Sequence, residues 1–150
     1  MRLVVAVLAL VAAGCAPLPP PAVSPPDLRG TWVGTWAGAP LTVVVTDQQA
    51  GHGDSGLVLG AWQVLGEEYP TVSGMLTASI RGEPVSTHVT GRLADAGGGR
   101  LLVSLHARSV AGEQRLTLRL REGDRLEGTG DSQYDWGPRG SVQLVRRPNS

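Results

Sequence analysis

The one cysteine of this 150-residue chain, Cys15, stands directly behind an apolar run and directly ahead of a proline cluster, in the order Val11-Ala12-Ala13-Gly14-Cys15-Ala16-Pro17. Only small side chains fit a signal-peptidase cleft at the bond being cut, and Ala12, Ala13 and Gly14 supply them. Cleavage there leaves the Cys15 thiol at the new N-terminus, ready to be alkylated. An unpaired thiol suits an oxidising compartment poorly unless something consumes it, so the placement points to lipid attachment. The competing reading is cleavage beside Ala16 with Cys15 incidental. Other reactive side chains are scattered. His88 and His106 are expected on the polar faces of adjoining strands, where two imidazoles could chelate zinc or copper. Such sites use three or four ligands, and no third is suitably spaced. His52, between two glycines, has no evident partner, and Glu67, Glu68, Asp131 and Asp135 show no spacing that fixes an acid/base pair. No cofactor, metal or catalytic residue is expected.

The elements around Cys15 agree with its assignment. Residues 1–14 carry one charge, at Arg2, then apolar residues from Leu3 to Ala13, which is the order of an export signal. The run is shorter than the roughly 20 apolar residues a spanning helix needs. This segment resembles the bacterial lipoprotein signal with its lipobox, departing from the commonest form in having Ala12 where leucine is usual. The resemblance implies two or three acyl chains on Cys15, and hence an effectively permanent anchor, since one chain alone gives only reversible binding. It also implies an outer-membrane address, because Ala16 is not the aspartate associated with inner-membrane retention. Residues 15–26 then form a spacer with prolines at 17, 19, 20, 21, 25 and 26. Held extended, it could place a domain up to roughly 30 Å from the lipid surface.

Residues 27–150 suffice for one domain with a modest core. Thirteen basic residues, all arginine, balance thirteen acidic ones, so no net field exists to steer nucleic acid. Apolar residues recur at a spacing of two: Val72, Gly74, Leu76, Ala78 and Ile80 share one face, as do Leu116, Leu118 and Leu120. Strands are expected over 30–36, 41–46, 56–65, 72–81, 85–93, 101–108, 116–121, 125–130 and 141–146. That pattern implies an all-β fold, a single small antiparallel barrel of about eight to nine strands, with a β-sandwich as the alternative. Two hairpins can be registered by parity. Around Gly123, a three-residue loop pairs Leu120 with Leu126, Leu118 with Gly128 and Leu116 with Gly130. Leucine opposite glycine on one face favours strong curvature and a closed barrel. A hairpin centred on Gly97 would pair Val89 with Leu105, Leu93 with Leu101 and His88 with His106.

The segment Gly30-Thr31-Trp32-Val33-Gly34-Thr35-Trp36 carries Gly-x-Trp twice. It resembles the first strand of lipocalin and avidin-like (calycin) barrels, whose indole packs across one end while the last strand closes on the first. The resemblance implies that Trp32 is that indole, that 140–146 is the closing strand, and that Arg146 covers the ring. The Thr-Asp-Tyr loop signature of lipocalins is missing. Gly53-Asp54-Ser55-Gly56 is similar to the nucleophile segment of chymotrypsin-like proteases, but the histidine before it, His52, is its direct neighbour and none lies on an upstream strand of the domain, and Gly130-Asp131-Ser132 repeats the tripeptide in an expected turn. Two non-catalytic roles fit a lipid-anchored barrel of the cell envelope. One is binding a small apolar ligand or lipid, with Trp32, Trp36, Trp62 and Met75 as the residues to suspect. The other is a packed barrel acting by protein contact, as an envelope accessory factor or an inhibitor of a wall enzyme, with Tyr134, Trp136 and Arg139 as anchors.

Overall fold

The alternation of apolar and polar residues is expressed as strands throughout. A computed structural model describes residues 25–50, 57–59, 62–64, 70–95, 100–109, 112–133 and 137–148. Cys15, the export signal and most of the spacer lie outside these. The strands are β1 (Gly30–Trp36), β2 (Ala39–Gln49), β3 (Leu57–Leu59), β4 (Trp62–Val64), β5 (Thr71–Ile80), β6 (Glu83–Asp95), β7 (Leu101–Ser109), β8 (Gly112–Arg121), β9 (Arg125–Ser132) and β10 (Gly140–Arg146). Eight of them close an antiparallel barrel in the order β1-β10-β9-β8-β7-β6-β5-β2, while β3 and β4 pair with each other. The barrel expectation holds, and the sandwich alternative falls.

Local chemistry sets the turns. Ala37-Gly38 and Arg81-Gly82 join β1 to β2 and β5 to β6 with positive φ at both residues (50° and 84°, 56° and 85°). Two-residue turns of this twist match the right-handed twist of the flanking strands. The β8–β9 hairpin has the register parity requires: Leu120 pairs with Leu126, Leu118 with Gly128, and Leu116 with Gly130. The β6–β7 hairpin does not. Val89 pairs with Ala107, Leu93 with Val103, and His106 with Thr90. A slip of two residues keeps every side chain on its own face, and the run of three glycines in that loop accepts more than one loop length, so parity alone could not choose. The expected strand over 56–65 is also corrected, being two three-residue strands, β3 and β4.

Inward positions carry the core, which includes Trp32, Trp36, Leu41, Leu76, Leu105 and Leu118, all essentially without solvent exposure. Three glycines make the curvature possible. A Cβ on Gly34, Gly74 or Gly128 would fall on the backbone carbonyl of Gln143, Val44 or Thr117 on the adjoining strand. The strands therefore approach at these points more closely than any side chain permits. A register shift between Val45 and Asp47 adds a bulge to β2 opposite β5.

Candidate functional site

One end of the barrel, where β1 begins, is sealed. Trp32 is 0 % exposed, and its Nε1 donates to the Leu28 carbonyl at 2.8 Å. Gln48 at the end of β2 fixes the incoming chain, accepting from the Leu28 N–H at 2.8 Å and donating to the Pro26 carbonyl at 3.0 Å. The closing strand supplies the cover: the Arg146 guanidinium lies 4.5 Å from the Trp32 ring centroid. It donates to the carbonyls of Arg29 at 2.7 Å and Asp27 at 2.6 Å. Its Nε sits 3.3 Å from Asp124 Oδ1, an ion pair without aligned hydrogen-bond geometry. Stacking and charge-assisted bonds act together here. Arg146→Ala is expected to lower stability by roughly 2–3 kcal/mol. Arg146→Lys should recover less than half of that, because an ammonium cannot fork to two carbonyls. Urea unfolding of both variants measures the difference.

Asp27 belongs to the same end. Arg29 donates to its carboxylate through Nε and Nη2 and through the backbone N–H, and these bonds hold the Asp27 pKa down to about 2 from 3.8. A depressed folded pKa means that this tie is fully formed above pH 3.8 and is lost as pH falls through about 2. In Arg29→Ala, which removes the guanidinium but keeps the backbone N–H, the carboxyl is expected to titrate above its wild-type value while staying below 3.8, read by NMR.

The opposite end, beneath the β1–β2, β5–β6, β7–β8 and β9–β10 connections, is built differently. Trp36 is 1 % exposed, and its ring lies over Gly130, where a Cβ would fall 2.5 Å from its Nε1. Register and strand tilt carry Thr87 of β6 and Gln114 of β8 to the same level. Gln114 is in phase with Leu116 and Leu118, points inward, and is 1 % exposed. Among the described residues neither of its amide atoms has a hydrogen-bond partner, nor do Thr87 Oγ1 or Trp36 Nε1. Each such buried, unpaired group costs about 1–3 kcal/mol. The wall between them is recessed: Ala107 separates Gln114 from Val89, and Ala78 lies on β5.

Two concavities lie on the outer wall. A groove of about 840 Å³ crosses β2, β5, β6 and β7 and is lined among others by Asp47, Ser73, Thr90, Arg92, Ser104 and His106. A smaller one of about 290 Å³ runs over β8 and β9 beside Arg119 and Glu127. Glu113, outward on β8, accepts from Arg115 Nε at 2.8 Å and lies 3.4 Å from His106 Nδ1. The Arg115 bond, more than any other neighbour, lowers its pKa.

The residues singled out from the sequence separate. Trp32 and Trp36 both point inward, at opposite ends. Met75 is corrected: it is 41 % exposed on the outer wall opposite His88, so it does not share a site with the tryptophans. Its neighbours Gly74 and Leu76 hold the inward parity. His88 and His106 do not face each other, since His106 pairs with Thr90 and Arg115. Among the described residues no group of three His, Cys, Asp or Glu side chains could hold a metal. Arg139 donates to the Ser132 carbonyl at 3.1 Å and pairs with Asp131 at 3.1 Å, which holds it against the end of β9. Tyr134, Trp136, His52, Glu67, Glu68, Asp135 and Gly53–Gly56 lie outside the described residues, as does the side chain of Trp62. Thr87 and Gln114 were missed, although each is in phase with apolar neighbours. No family model matches this chain, and no curated protein or solved structure matches it.

Proposed function

We propose that this chain is an exported protein held at the outer membrane by acyl chains on Cys15. Its barrel is a non-catalytic, side-chain-filled scaffold that works through its outer wall, as an envelope accessory factor or an inhibitor of a wall enzyme. The observation that carries this reading is the packed interior. Trp32 and Trp36 are buried, and a Cβ added at Gly91 would collide with Leu105 and Val72. A fatty acid or lipid would need that volume emptied, so the apolar-ligand reading has less support. The larger described concavity opens outward and is lined by hydroxyls, Asp47, Arg92 and His106, which suits polar contact.

Two experiments test the two halves. Radiolabelled palmitate should appear on the wild-type chain and not on Cys15→Ser, which should leave the membrane fraction. Palmitate absent from wild type, with Cys15→Ser still sedimenting, refutes the anchor. A photo-cross-linking residue at Thr90 in the groove should capture one defined envelope protein in cells, and the same residue at Thr35 on the far wall should not. Equal capture at both positions, or none, refutes action through the groove. Lipid recovered stoichiometrically from the purified barrel would restore the apolar-ligand reading instead.

A further inference from the structure

The outer groove over β2, β5, β6 and β7 sets one guanidinium among hydroxyls. Arg92 of β6 is exposed, and register places Thr71 of β5 and Ser104 of β7 on either side of it. Two residues along the same face, Thr90 lies between Ser73 and His106. Most outward arginines of β7, β8 and β9 stand beside acids: Arg108 and Arg115 with Glu113, and Arg121 and Arg125 with Glu127. Among the described residues Arg92 has no such partner. Asp47, the one carboxylate among the described lining residues, is two strands away on β2, where Gln49 Nε2 donates to it at 3.0 Å. We propose that the groove receives an extended peptide segment of a protein partner, and that Arg92 anchors it through the carboxylate of an Asp or Glu side chain. This rests on the outer-wall reading of the barrel and names the chemistry of what the wall takes.

The groups present select that ligand. A guanidinium forks to both oxygens of a carboxylate, and such charge-assisted pairs are stronger than neutral hydrogen bonds. The hydroxyls of Thr71 and Ser104 can donate to the lone pairs that the fork leaves. Charge favours a carboxylate over a phosphate: Arg92 alone neutralises a monoanion, whereas a dianion would carry surplus charge toward Asp47 in the same groove. Among the described lining residues there is no Trp, Tyr or Phe to stack on a sugar ring. Shape favours an extended chain. Four adjoining strands about 4.8 Å apart span roughly 14 Å, the reach of about four extended residues. The groove, at about 840 Å³, opens outward along that span.

The test uses the full chain in cells, with the photo-cross-linking residue at Thr90 and the linked partner peptide identified by mass spectrometry. Wild type is expected to capture one defined envelope protein, through a segment carrying an Asp or Glu within four residues of the linkage. Arg92→Gln should lower that capture at least tenfold, as loss of a charge-assisted bond does, with circular dichroism unchanged. Arg92→Glu should abolish it, and replacing the mapped acidic residue of the partner by Arg should restore capture to Arg92→Glu and remove it from wild type. Arg119→Gln, outward on β8 and outside the groove, should capture as wild type does. Undiminished capture by Arg92→Gln, a linked segment without an acidic residue, or an equal loss in Arg119→Gln overturns this inference and leaves the groove as a contact surface. No capture by wild type overturns both.

Discussion

Gly74→Val is expected to abolish the folded barrel, with loss of the strand signal in circular dichroism and of dispersed amide resonances. The reason is geometric. The Cβ of any substituent would fall on the Val44 carbonyl oxygen, a backbone atom of the paired strand that no rotamer change can move. Relief requires β5 to part from β2, and these strands form one of the most extensive pairings in the barrel, from Leu41–Ala78 to Gln49–Thr71. A cost above about 4–5 kcal/mol is exceptional for one substitution and comparable to the whole stability of many small domains. Gly34→Val and Gly128→Val should act in the same way, through the Gln143 and Thr117 carbonyls. Gly38→Ala provides the contrast. That glycine has open space around it, so only its positive φ of 84° is strained and a modest loss is expected. A folded Gly74→Val with native stability would show that the strands do not approach as described.

Trp32→Ala is expected to lose about 3–5 kcal/mol, the range for truncating a buried aromatic side chain. Here the loss has company. The indole gives Leu28 its carbonyl partner and gives Arg146 a surface to lie on, so truncation leaves one buried carbonyl unpaired and removes the stacking, while the guanidinium keeps its bonds to the Arg29 and Asp27 carbonyls. The effects of Trp32→Ala and Arg146→Ala should therefore be partly non-additive, by the stacking contribution the two share. Denaturant titration of the two single variants and the double decides this. Full additivity would mean that the two side chains do not cooperate.

The barrel itself was legible wherever period two ran unbroken. Val72 to Ile80 and Leu116 to Leu120 fixed their own inward faces, and the loop at Gly123 left one acceptable register for β8 and β9. Trp32 with Arg146 above it was legible through the Gly-x-Trp resemblance, because the motif couples the first strand to the last. The β6–β7 register was not, since parity distinguishes odd slips from even ones and the triglycine loop tolerates both even choices. Met75 was misjudged on residue type: its neighbours Gly74 and Leu76 already held the inward positions. Thr87 and Gln114 failed for the opposite reason. A polar side chain within a strand is read as outward by default, yet Thr87 keeps phase with Val85 and Val89, and Gln114 with Leu116. Phase, not polarity, decides which face a strand residue takes. A polar residue in apolar phase is thus to be read as inward, as Thr87 and Gln114 are.

Closure of this barrel rests on its last strand, whose residues Val142 to Arg146 pair with Trp36 to Trp32 at the other end of the domain. Until Gly140–Arg146 has been synthesised, neither β1 nor β9 has its partner there, and the Trp32 seal lacks its arginine. A growing chain therefore cannot close the barrel before residues 140–146 have been made. The same ordering makes a stop codon ahead of residue 140 a lesion of the whole molecule and not of its edge.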